Sequence, residues 1–287
     1  MGELSSVEHE LLGWLLLGAA LAFFGIALPF YQWLRKKAPG LAFSGRDRVA
    51  TVGLAWIDLL VVATAMGFVG GMWWAGDEGA GGYGGENPVV DTVLQAGIAL
   101  GVGSLVPLLL FWRVKTWEFL GLKTISWGKL GWILPLFLAL TLGSLPLMAW
   151  LGWPGWVLGL GVGSEPELEP LVTSRDGWLI GLTLLMALVI SPIVEEVIFR
   201  AYLFPVVKHF TERGFAMVFS GLLFGLVQFN LLGLPTFVIF GILAAWAYER
   251  TGSLWVPVIC HLTFNLIQMG MILSVRFLER DGTAWGP

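Results

Sequence analysis

The sequence predicts an all-α fold, a polytopic bundle of about eight transmembrane helices. Three observations predict it. Only 13% of the 287 residues are charged, about half the share a soluble domain uses to cover its surface. Hydrophobic residues make up 57% of the chain, and the mean hydropathy is +0.81. The apolar residues also gather in blocks of about 20, the length at which a helix rising 1.5 Å per residue crosses a hydrocarbon layer of about 30 Å.

The blocks fall at about 11–34, 50–75, 92–112, 131–152, 178–199, 215–232, 234–249 and 253–275. Each is read as a helix, because a helix satisfies its own backbone polar groups in lipid. The first is a retained span: Glu3, Glu8 and Glu10 precede it with no Lys or Arg, the reverse of a cleavable signal. The seventh is short and follows the sixth closely through Gly233 and Pro235. Trp14, Trp33, Trp73, Trp74, Trp112, Trp150, Trp178 and Trp255 sit near the ends of spans, as an interfacial aromatic belt requires.

Charge sets the orientation. With the N-terminus outside, the inner connections hold 13 basic residues (Arg35, Lys36, Lys37, Arg46, Arg48, Arg113, Lys115, Lys123, Lys129, Arg200, Lys208, Arg213, Arg250) and the outer ones three (Arg175, Arg276, Arg280). Such an excess marks the cytoplasmic side. The outer stretches are acidic, and 76–88 is also Gly-rich, which reads as a flexible loop. Residues 115–130 mix bases with aromatics, as an inner-face helix would or equally a plain linker. Short connections lean towards a prokaryotic plasma membrane. The chain divides into a scaffold at 1–177, a core at 178–275 and a polar tail at 276–287. No nucleic-acid partner is expected.

Ionisable side chains inside spans are costly and are functional candidates by default. Asp58 stands alone in the second span, near its inner end and within snorkelling reach of water. The others concentrate after residue 178. The fifth span ends SPIVEEVIFRAY. Glu196 and Arg200 are four apart and share a face, so they can pair. Glu195 lies about 100° round the helix with Ser191 and Phe199 and has no such partner, which suits a general base. The eighth span holds CHLTFN. His261 and Asn265 share a face, and together they could offer hydrogen bonds to an oxyanion. The sixth reads FGLVQFN, with Phe224 and Gln228 four apart; alone this suits ordinary helix–helix contact. Counted along straight helices, His261 and Asn265 lie about 12 and 18 Å from the inner end, and Gln228 about 22 Å, deeper than Glu195.

Taken together, these fragments resemble the CAAX prenyl protease and bacteriocin-processing (CPBP, or Abi) family of intramembrane endopeptidases, whose hallmarks are EExxxR, FxxxH and HxxxN on successive helices. EEVIFR and HLTFN match the first and third motifs. The second departs: Phe224 is present, but Gln228 stands at the histidine position. The resemblance covers about residues 178–275 and implies a multi-span helical endopeptidase. It assigns Glu195 to activating a water, Glu196 and Arg200 to support, and His261 with Asn265 to the oxyanion. Gln228 can orient a water but cannot take up a proton.

The implied substrate is a peptide or lipidated protein entering from the membrane or its inner face. Two alternatives stand beside this reading. One is an impaired relative, disabled by nature or by design at Gln228, that binds a peptide or partner without cutting it. The other is a transporter, for which the expected broken helices or inverted repeat are not visible. No cofactor is expected. Cys260, the sole cysteine, reads as a small core residue, and a single intramembrane histidine makes a poor zinc site.

Overall fold

The computed structural model describes residues 2–38, 49, 51, 53–74, 120–150, 171, 174–228, 230–231 and 233–280, with isolated positions between 89 and 108. Helix α1 runs over Gly2–Ala20, widens into a π-helical stretch at Leu21–Ala27 and continues through Leu28–Lys37. Helices α2 and α3 span Trp56–Trp74 and Trp127–Trp150. Helix α4 is the composite Gly177–Leu185, Met186–Ile190, Ser191–Glu196, Val197–Leu203 and Phe204–Phe210, its second and fourth segments π-helical. Helices α5, α6 and α7 are Arg213–Val227, Leu234–Thr251 and Trp255–Arg280.

The π-helical stretches have a common cause in the sequence. Pro29, Pro192 and Pro205 each follow one within two residues. Proline has no N–H to give the carbonyl a turn earlier, and its ring crowds that carbonyl. The helix widens just upstream: the residue before each proline (Leu28, Ser191 and Phe204) donates its N–H five residues back, to Phe23, Met186 and Phe199, the π pattern.

Side chains and one glycine set the helix ends. Asp176 accepts from Trp178 N at 2.9 Å to start α4. Glu212 accepts from Gly214 N and Phe215 N to start α5, so Thr211 and Glu212 make a tight α4–α5 turn. Gly252, at φ 70°, closes α6 by donating to Tyr248 O at 2.7 Å. Helices α5 and α6 then pack at very close range: a Cβ on Gly241 would lie 2.7 Å from Gly221 Cα, so neither position has room for a side chain.

Among the described residues, four helices are long and apolar enough to cross a membrane: Glu10–Lys37, Trp127–Leu147, Gly177–Phe210 and Trp255–Ser274. The eight expected spans are therefore seen in part. The expected sixth span is a helix of 15 residues, only about 22 Å long. The seventh, α6, carries Glu249 and Arg250 in its last turn, which shortens its apolar run. The third span, 92–112, falls outside the continuously described residues, as do the outer loop 76–88 and most of the acidic stretch before Arg175. Trp14, Trp33, Trp150, Trp178 and Trp255 are exposed, as belt residues should be.

The 115–130 segment is described from Leu120 onwards, and residues 121–126 form a packed, non-helical connection that leads into α3. Leu254 N donates to Gly121 O and Ser253 Oγ to Lys123 O, both at 2.8 Å. Arg200, counted above with the inner charges, is fully buried.

Candidate active site

The site is built on the α4–α5 hairpin. The fifth helix does not stop near residue 199, as the apolar block suggested, but continues to Phe210. Glu195 is thus 15 residues from Phe210, and Gln228 is 15 from Arg213, the two residues flanking the turn. Antiparallel helices joined so tightly bring the two positions level. The depth difference expected above disappears, and Gln228 Nε2 donates to Glu195 Oε2 at 3.3 Å.

The paired carboxylates have very different surroundings. Glu196 is fully buried, with Oε2 3.0 Å from Nε of the equally buried Arg200. The two charges are close without the alignment of a hydrogen bond. The guanidinium lies over the Phe224 ring, 4.4 Å from its centroid, and Nη2 donates to Gly241 O at 3.4 Å. Phe224 is therefore a platform for the arginine, a role that a cation–π contact explains. Glu195 lies round the helix with a quarter of its side chain exposed, and it lines a cavity of about 70 Å³. That is room for water.

His261 enters from α7 and links the two glutamates. Its Nδ1 is 2.9 Å from Glu196 Oε1, and its Nε2 is 4.0 Å from Glu195 Oε2. Phe224 and Phe240 meet the ring edge-on at 5.9 and 4.7 Å. Asn265 lies one turn further along α7 and also lines the cavity. Its Nδ2 donates to Ala187 O at 2.8 Å, for a reason that starts with Pro192. The carbonyl of Ala187 would ordinarily take the N–H of Ser191 or, in a π turn, that of residue 192. Ser191 N–H is given to Met186 O, and Pro192 has none. Asn265 fills the acceptor that proline orphans and keeps one amide hydrogen for the cavity.

Glu195, Gln228, His261, Asn265 and Phe224 therefore line one cavity, with Glu196 and Arg200 behind it. Gln268, Phe237, Phe240 and Met269 line it too and were not singled out from the sequence. Gln268 follows Asn265 by three and could have been found by helical spacing; the apolar ones carry no such signal. Nothing in the sequence announces the Glu196–His261 contact, which joins helices more than sixty residues apart. Among the described residues, no group of three or more His, Cys, Asp or Glu side chains is placed to hold a metal ion. Cys260 is buried.

Two further polar residues occupy places different from those expected. Asp58 is neither alone nor near water. It is 1% exposed, accepts from Tyr202 Oη at 3.0 Å and accepts from Ala55 N at 2.7 Å, the backward-reaching half of a capping box. Lys208 is buried near the α4–α5 turn, with Nζ 2.8 Å from Glu249 Oε2 and 3.0 Å from Val49 O.

Fold and site thus define a multi-pass membrane protein with a buried glutamate–histidine network beside a polar cavity. Residues 177–267 match the family model described as "Type II CAAX prenyl endopeptidase Rce1-like". Over 215 residues the chain is 30% identical to a Bacillus subtilis (strain 168) protein named "Putative membrane peptidase YdiL", covering 70% of this chain and 84% of that one. The chain belongs to this Rce1-like, CAAX-protease (CPBP) family of membrane proteins. No solved structure matches it.

Proposed function

We propose that the chain is an intramembrane endopeptidase in which Glu195 removes a proton from water as that water attacks a peptide carbonyl. One observation carries this reading: of two adjacent carboxylates, Glu196 is sealed against Arg200, while Glu195 faces a cavity that Gln228, His261 and Asn265 also line. Gln228 holds the Glu195 carboxylate by its 3.3 Å hydrogen bond. His261 and the second amide hydrogen of Asn265 face the position where an oxyanion would form. The substrate is a peptide or lipidated protein that reaches the cavity from the membrane or its inner face. In this reading residues 1–177 are scaffold and 178–275 the catalytic core. The chain completes about eight spans in a prokaryotic plasma membrane, its N-terminus outside.

The test is a peptide-library cleavage assay on the protein purified in detergent, beside Glu195→Gln and Gln228→His. Removing the base is expected to lower cleavage about 10²–10⁴-fold and to leave the thermal unfolding temperature nearly unchanged. Cleavage that survives the Glu195 change would sink the assignment. Cleavage only after histidine is restored at 228 would identify a disabled site. Peptide bound but uncut in every version would make the chain a binding protein.

A further inference from the structure

The position of Glu196 constrains what His261 can do. Glu196 is fully buried and 3.0 Å from the Arg200 guanidinium, so it is held as a carboxylate and can only accept hydrogen bonds. The hydrogen in its 2.9 Å contact with His261 therefore sits on Nδ1. In the neutral ring this leaves Nε2 with a lone pair, turned towards Glu195 Oε2 at 4.0 Å. In that form Nε2 has no hydrogen to offer an oxyanion. It offers one only after taking up a proton. Among the described residues, the charged groups facing the ring are Glu195, Glu196 and, behind it, Arg200, all from α4. The α5 and α6 faces present Phe224, Gln228 and Phe240.

We propose that His261, oriented by Glu196, is the proton carrier of this site and does the acid–base work that Gln228 cannot. The proposal rests on the peptidase reading and assigns the route of the proton within it. The water oxygen forms its bond to the carbonyl carbon as one water proton passes to Glu195 Oε2. That proton moves to His261 Nε2, making an imidazolium whose Nε2–H faces the oxyanion. As the C–N bond breaks and the carbonyl re-forms, Nε2 gives the proton to the leaving nitrogen. The ring is neutral again, and the products are an acid and an amine with no further reactant. Glu196 touches no reacting atom and is a positioning residue. Gln228 only holds the Glu195 carboxylate.

The direct experiment is ¹⁵N NMR of the histidine-labelled, detergent-purified protein. His9, His209 and His261 are its three histidines, so His261→Gln identifies the signal by its loss. The expected spectrum shows the neutral His261 ring protonated at Nδ1; an Nε2–H ring overturns the proposal. Glu196→Gln, whose amide can also donate, is expected to populate the other tautomer, and no change there removes Glu196 as the orienting group. The spectrum of the unmodified protein decides the tautomer even where that variant fails to fold.

Cleavage kinetics supply the second arm. Glutamine at 261 can still donate a hydrogen bond but carries no proton, so His261→Gln is expected to lower kcat about 10²–10⁴-fold with KM within about twofold. Activity within tenfold overturns the proposal. Gln228→His is expected to change the rate by less than about 10²-fold, the least that a missing acid–base helper costs; a larger gain overturns it. No cleavage by the unmodified protein defeats the peptidase reading and the carrier role together, whereas cleavage with the wrong tautomer defeats the carrier role alone.

Discussion

Arg200 and Lys208 lie on the same helix, and both are buried beside a glutamate. The Lys208–Glu249 pair, at 2.8 Å, joins α4 to the end of α6 and also reaches Val49 O. It knits elements together at the end of the bundle where α4 turns into α5. The Arg200–Glu196 pair lies deeper and leads onward to His261, Glu195 and a cavity. Ion pairing inside the protein is common to both regions. What separates a candidate site from a structural fastening is the second carboxylate left facing open space.

Variants can break this comparison. Glu196→Ala should have the largest effect, because it leaves the Arg200 charge buried without its partner. A loss of roughly 3–5 kcal/mol is expected, read by thermal unfolding in detergent, and cleavage by the surviving folded molecules should fall as well. Lys208→Met should cost a comparable or slightly smaller amount, yet cleavage per folded molecule should stay unchanged. If Lys208→Met abolishes cleavage without unfolding, the two regions are coupled and the distinction fails.

Gly221→Ala forces a methyl group into the α5–α6 contact, where it would lie 2.7 Å from Ile242 N. About 1–3 kcal/mol should be lost, and cleavage should drop with it, because α5 carries Gln228. Tyr202→Phe removes one donor to Asp58. It should cost about 1 kcal/mol and leave cleavage unaffected, which would confirm Asp58 as a helix cap outside the site.

Several features were legible because they are local. The i,i+4 pairing of Glu196 with Arg200, the separate face of Glu195 and the shared face of His261 and Asn265 all follow from one helical period. The three prolines that widen α1 and α4 stood in plain view, although the resulting π stretches did not. What was misjudged depended on where helices stop. Ending the fifth span near residue 199 put Glu195 too shallow, because Lys208 and His209 look like headgroup residues until Glu249 is found beside Lys208. Asp58 looked solitary because Tyr202 is far away in the chain.

The sequence by itself determined the class of molecule, the carboxylate pair with its arginine and the glutamine one turn after Phe224. These are matters of composition and of spacing along single helices. The tertiary structure alone decided that His261 Nδ1 turns to Glu196, that Asn265 fills the carbonyl orphaned by Pro192, and that Glu195 and Gln228 stand level. The reason is that a helix's period is encoded within each turn, whereas its depth and its neighbours depend on caps and packing from elsewhere in the chain.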